Sequence, residues 1–226
     1  LLDTDPTTGQ RIDYRALSHT IEQLRSRVEA DGAARVQVIG FAKLVGDLIE
    51  GKMADKGFTS MGFMELGARQ VTNSQRPIKT MADLKGLKIR MQPNETHLAT
   101  FRALGANPLA MDIKEVYSAM EQKVIDGHEN PYNLIFDSRF FEVQKYVSNT
   151  GHFFDFIAVV ANRKKFQALS PEFQKAITTA MNKAVATQRT EAAKADVAAL
   201  AELQKKGMQY DAMPAAEREA MRKATA

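Results

Sequence analysis

One uninterrupted helical stretch near the end of the chain constrains the fold more than any other feature. Ser170-Pro171-Glu172 is a strong helix start. The serine can cap, the proline takes the first helical position where its missing N–H costs nothing, and the glutamate favours the positive end. No helix breaker follows until Gly207. At about 1.5 Å per residue the spacing predicts a helix roughly 50 Å long. A rod of that length spans more than one layer of a protein or bends around it. A coiled coil is the rival, but Thr187, Thr190 and many alanines interrupt any heptad seam.

Ahead of this helix, short helical and extended patterns alternate. Leu17, Ile21, Leu24 and Val28 recur at helical spacing between about Tyr14 and Ala30. Residues 35–40 alternate as a strand, and 41–49 read as a short helix stopped at Gly51. Gly57–Phe63 reads as a buried strand, Glu65–Arg69 as a turn and Gln70–Asn73 as a short extended piece. Gly86 supplies a turn into a half-buried strand in which Leu87 and Ile89 alternate with Lys88 and Arg90. Asn94 and Asp112 are placed to cap helices ending near Leu104 and Glu121. Asp126–Pro131 reads as a polar turn, 133–145 as a helix, and Tyr146–Val160 as one or two strands. Met208–Asp211 reads as a final strand and 214–224 as a terminal helix. Strands alternating with helices define an α/β class.

Several chemistries lack their residues. There is no cysteine, so disulfides, thiolate zinc sites and thiol nucleophiles are excluded. His19, His97, His128 and His152 are never three or four apart, so no helical metal motif forms, and no metal or cofactor is expected. Neither a Gly-rich phosphate loop nor a Gly-x-Ser-x-Gly elbow is present. These absences point away from an enzyme, and no catalytic residue is assigned. The net charge of +4 hides an uneven distribution, with twelve Lys/Arg against seven Asp/Glu over 163–226. That excess is mixed with acids and poor in aromatics, the pattern of a solvated helix face and not of a nucleic-acid site. No apolar run is long enough to cross a bilayer.

Arg90 is the strongest candidate for function. An arginine ending a strand presents a rigid, permanently charged fork that matches a carboxylate with two parallel hydrogen bonds. Taken alone, the segment also fits an ordinary surface arginine. Its neighbours change the balance. Gly67-Ala-Arg69-Gln-Val-Thr-Asn73, Arg76-Pro-Ile-Lys-Thr80, Asp83-Leu-Lys-Gly-Leu-Lys-Ile-Arg90, Leu104-Gly-Ala-Asn-Pro108, Glu115-Val-Tyr117, Val124-Ile-Asp-Gly127 and Glu129-Asn-Pro131 occur in order. Together they resemble the solute-binding proteins of tripartite ATP-independent periplasmic (TRAP) transporters, over about residues 52–226.

The resemblance implies a two-lobed α/β periplasmic-binding-protein-like fold, with a cleft between the lobes and Ser170–Gly207 as the lobe-spanning helix. It implies a periplasmic, monomeric protein that captures a small carboxylate and hands it to the membrane subunits of a TRAP permease. Arg90 matches the family's carboxylate clamp, Arg69 a second assisting arginine, and Asn130 a ligand-contacting asparagine. Gln92 and Asn94 lie near a further contact position, and Phe153 is placed as a pocket wall. Residues 1–51 stand outside the resemblance. They form an atypical αβ segment that weakly resembles an extracytoplasmic stretch of RND-type exporters. A fusion or chimera joined near Gly51-Lys52 is therefore expected, with 52–226 as the solute-binding core and the first lobe incomplete. The competing expectation is a structural or chimeric fragment that keeps the fold without a competent cleft.

Overall fold

The computed structural model describes residues 50–225. The elements expected over 14–30, 35–40 and 41–49, and nearly all of the 1–51 segment, lie outside the described residues. Those described fall into two compact units, one of 50–64 with 156–188 and one of 65–155 with 189–225.

Six strands share one sheet: β1 (Phe58–Asn73), β2 (Lys88–Met91), β3 (Asn107–Ala110), β4 (Gly127–Asn130), β5 (Tyr146–Asn162) and β6 (Gln209–Ala212). Their order is β3-β2-β4-β1-β5-β6. β2 pairs in parallel with both β3 and β4, whereas β4 runs antiparallel to β1. β1 and β5 each contribute residues to both units.

The larger unit holds α1 (Glu95–Ala103), α2 (Ile113–Glu121), α3 (Tyr132–Asp137) and α6 (Ala215–Ala224). The first two start where the sequence places caps. Asn94 Oδ1 accepts from the Thr96 and His97 amides at 2.9 and 3.3 Å, and Asp112 Oδ1 from the Lys114 amide at 2.9 Å. Two apolar clusters fill this unit. One gathers Val71, Ile78, Leu84, Ile89, Met91 and Phe101, and the other Val116, Met120, Ile125, Ile135, Phe140, Val147 and Leu203.

The smaller unit carries α4 (Arg163–Gln167), capped by Asn162, and the first half of α5 (Pro171–Lys205). Val185 is buried there against Gly62, where a Cβ would come within 2.9 Å of a valine methyl. The long helix runs 35 residues, with Ser170 Oγ accepting from the Phe173 amide as its start predicts.

Four local expectations are corrected. Glu65–Arg69 is not a turn but the middle of β1. Gly67, at φ +123°, keeps the strand continuous where Pro131 approaches to 3.3 Å of a would-be Cβ. β2 is not half-buried. It lies between β3 and β4, and Ile89, Arg90 and Met91 are all buried. Central parallel strands are covered on both faces, which hides the alternation that an edge strand shows. The polar turn expected over Asp126–Pro131 instead holds β4 (Gly127–Asn130), with all four strand residues buried. The helix over 133–145 stops at Asp137, and a 3-10 turn over Phe140–Glu142 follows Arg139 in the left-handed region at φ 57°.

Candidate binding site

β2 delivers Arg90 into the larger unit. Its backbone lies in register with His128 of β4 and Leu109 of β3, so the side chain leaves from the middle of the sheet and is 3% exposed. Nε donates to the Met111 carbonyl at 2.8 Å. Neither Nη has an acceptor among the described residues. Burial pulls the pKa of this guanidinium down, the Glu129 carboxylate works against that, Arg69 adds to it, and Asp112 opposes it. Arg90 is thus a desolvated cation whose fork is mostly uncommitted among the described residues.

Arg69, from β1, is committed. Its Nε and Nη2 donate to the two carboxylate oxygens of Glu129, the latter at 2.7 Å. Nη2 also donates to the Glu129 carbonyl, and Nη1 to Asp155 Oδ2, each at 2.8 Å. Glu129 takes a further contact from His152 Nε2 at 3.1 Å. Burial alone would push the Glu129 carboxyl up. The hydrogen bonds from Arg69 and His152, with their charges, outweigh it and hold the pKa at about 2. An unpaired carboxylate at this depth would be strongly disfavoured, so the fork-on-carboxylate geometry is what permits it.

Both arginines open onto one pocket of about 380 Å³, whose wall includes Gln92, Asp112, Asn130 and Ser138 with Leu66, Pro93, Ile113 and Leu134. All of these residues belong to the larger unit. The mixture suits a small polar anion: a cation for its charge, amides and a hydroxyl for orientation, and apolar walls to exclude water.

Of the residues singled out in the sequence, Arg90, Arg69, Gln92 and Asn130 come together at this pocket. Asn94 does not. It is exposed, and its side chain is occupied capping α1. Phe153 does not line the pocket either. It stacks on His97 with ring centroids 4.2 Å apart and packs against the first apolar cluster. Glu129, His152, Asp155, Asp112 and Ser138 were missed. Glu129 sits within a quoted motif and carries the most strongly held charge here, a role that only its contacts with positions 69 and 152 disclose.

An α/β fold of this class, with a buried cation largely uncommitted among the described residues on a small pocket, fits a solute-binding protein. The chain belongs to the bacterial extracellular solute-binding protein family 7 (DctP), whose model matches residues 34–226. The match thus begins upstream of the quoted motifs and takes in residues 34–51. The 2,3-diketo-L-gulonate-binding periplasmic protein YiaO of Escherichia coli K12 is 44% identical over 145 residues, 64% of this chain and 44% of its own length. The C4-dicarboxylate-binding periplasmic protein DctP of Vibrio cholerae is 34% identical over 119 residues, 52% of this chain and 36% of its own. Among solved structures, a TRAP periplasmic solute-binding protein from Polaromonas sp. JS666 bound to D-erythronate superposes with a TM-score of 0.78. It is 32% identical, with 85% of this chain and 63% of that one covered. The sugar acid binding protein DctPAm from Advenella mimigardefordensis, in complex with galactonate, gives a TM-score of 0.75 at 33% identity, covering 79% and 58%. The chain spans about half the length of the curated relatives it matches.

Proposed function

We propose that this chain captures a small organic acid outside the cytoplasm, in the periplasm, and delivers it to a TRAP-type permease without transforming it. Arg90 clamps the ligand's carboxylate through its two Nη groups, and Asn130 and Gln92 orient the remainder. Arg69 acts one step back, fixing the wall beside Arg90 through Glu129 and Asp155. The observation that carries this reading is the buried Arg90 fork of which, among the described residues, only Nε finds an acceptor. A buried guanidinium left without an anion is unfavourable, and a bidentate carboxylate relieves it where water screens least. The acids bound by relatives, diketogulonate, galactonate and erythronate, support the same chemistry.

Calorimetry against sugar acids and short carboxylic acids tests it. Arg90→Lys keeps the charge but loses the planar fork, so affinity for any verified ligand should fall about 10- to 100-fold. Unchanged affinity in that variant refutes the clamp. A cooperatively folded sample that answers no acid refutes capture altogether and returns the chain to a structural fragment.

A further inference from the structure

We propose that His97 is a positioning residue for this pocket: it lies behind the wall and holds the Gln92 side chain in the place from which that amide meets a bound acid. The inference rests on the reading of Arg90 as the carboxylate anchor and of Gln92 as a contact to the rest of the ligand.

Gln92 follows directly on the last residue of β2 and lines the same pocket as Arg90. A glutamine is long and rotatable, and ordering a free one on binding costs affinity. Gln92 already has a partner. Its Nε2 lies 3.1 Å from Nδ1 and 3.3 Å from Nε2 of His97. Among the described residues, the two side chains find their hydrogen-bond contacts in each other. A neutral imidazole keeps one lone-pair nitrogen to accept from the amide N–H. Burial lowers the His97 pKa and so favours that neutral form, with the charges of Glu129 and Asp155 working against it and those of Arg69 and His152 adding to it. The other end of the Gln92 amide is left for a ligand.

His97 is well placed to act as the fixed member of the pair. It sits in the first turn of α1, where its backbone amide donates to Asn94 Oδ1 at 3.3 Å. Its ring stacks on Phe153 of β5, with centroids 4.2 Å apart and planes 21° from parallel. The residue is buried, whereas Gln92 is half-buried at the pocket. Asn94 and Phe153, neither of which lines the pocket, therefore stand behind His97, and His97 stands behind Gln92. All four belong to the larger unit. Such an arrangement adds affinity without a contact of its own, because the glutamine is ordered before the ligand arrives.

A histidine that merely packs would stabilise the fold and leave Gln92 out of account, and a double-mutant cycle separates the two roles. Calorimetric Kd values for D-galactonate and D-erythronate are measured for the intact chain, His97→Phe, Gln92→Ala and the double variant, with Arg90→Lys alongside. His97→Phe keeps a ring against Phe153 and loses both nitrogens. His97→Leu takes its place if the phenyl variant does not fold. For either acid that binds, His97→Phe should weaken affinity about three- to tenfold, the effect of one hydrogen bond. In the Gln92→Ala background the same change should move Kd less than about twofold. Equal losses in the two backgrounds show that the ring acts through the fold and overturn the proposal. Unchanged affinity in His97→Phe or in Gln92→Ala overturns it too, as does an intact chain that binds neither acid. A large loss in Arg90→Lys together with equal His97 losses in the two backgrounds sinks this inference alone. Retained binding in Arg90→Lys sinks the reading beneath it.

Discussion

His128 is fully buried in β4, and its two ring nitrogens have unlike surroundings. Thr72 Oγ1 donates its one proton to Gln144 Oε1 at 3.0 Å, so His128 Nδ1, 2.7 Å from that hydroxyl, must be the donor to it. Gln144 completes the chain by donating to the carbonyls of Val143 and Asp126. Among the described residues His128 Nε2 has no partner, and a proton placed there would find no acceptor. Burial accordingly pushes the His128 pKa down to about 3. The sign follows from linkage. Below pH 6.5 the unfolded chain takes up a proton that the native imidazole refuses, so stability falls as pH drops from 6.5 toward 3. Glu129 acts in a lower window. Its contribution is complete above the unfolded value of 4.5 and is lost as pH falls toward 2. Thermal melts from pH 7 to pH 4.5 should therefore show a loss to which His128 contributes on the order of 2 kcal/mol, with His97, whose pKa burial also lowers, acting in the same direction. His128→Gln should flatten that segment, whatever it does to stability at pH 7. Parallel Tm curves for the two proteins between pH 6.5 and 4.5 would contradict the neutral buried imidazole. The sequence offers this histidine only as part of a polar turn, because the Thr72 and Gln144 that fix its tautomer are 56 residues before it and 16 after.

At the scale of elements, legibility tracks the range of the signal. The caps at Asn94, Asp112 and Ser170, and the long run to Gly207, are written in a few adjacent residues, and the helices begin where those residues say. Strands depend on partners elsewhere in the chain. β4 is four polar-looking residues, Gly-His-Glu-Asn, that become central strand only because β1 and β2 flank them. The candidate site divides the same way. Arg90, Arg69 and Asn130 stand in motifs that resemblance can carry, whereas the Glu129–His152–Asp155 network exists only after β1, β4 and β5 are assembled. Gly127 measures how tightly they assemble. A Cβ there would lie 1.9 Å from the Thr72 carbonyl oxygen and 2.9 Å from Asn73 Cα, both backbone atoms of β1. Backbone in mid-sheet cannot give way as a side-chain tip can. Gly127→Ala should cost about 3 kcal/mol or more. Gly86→Ala, at φ +76° with open space around it, should cost about 1 kcal/mol. Urea denaturation of the two variants checks this, and a Gly127→Ala protein as stable as Gly86→Ala would disprove the close β1–β4 contact.

Across the described residues, buried apolar surface is concentrated in one unit. Among the described residues, every buried hydrophobic side chain but Val185 belongs to 65–155 or 189–225, including both apolar clusters. The described part of the other unit instead exposes Phe58, Ile157, Val160, Leu169, Phe173 and Ile177. Local stability follows buried contacts, since an element opens at the free energy of what it must expose. Helix α5 is the decisive test, because one continuous hydrogen-bonded rod is shared between the units near residue 188. Its second half buries Ala199 and Leu203, whereas its first half has only Val185. Helical hydrogen bonding by itself would protect both halves alike. Native-state hydrogen exchange should instead show slow amides over 192–205 and amides at least about tenfold faster over 173–184, a difference in opening free energy of about 1.4 kcal/mol. Adding a bound acid at 100 times its Kd should raise protection around Arg90, Asp112 and Asn130 by up to about 2.7 kcal/mol, because the ligand stabilises only the state that holds the pocket. Uniform protection along the helix, before ligand is added, would show that burial within one unit does not set the stability of this chain.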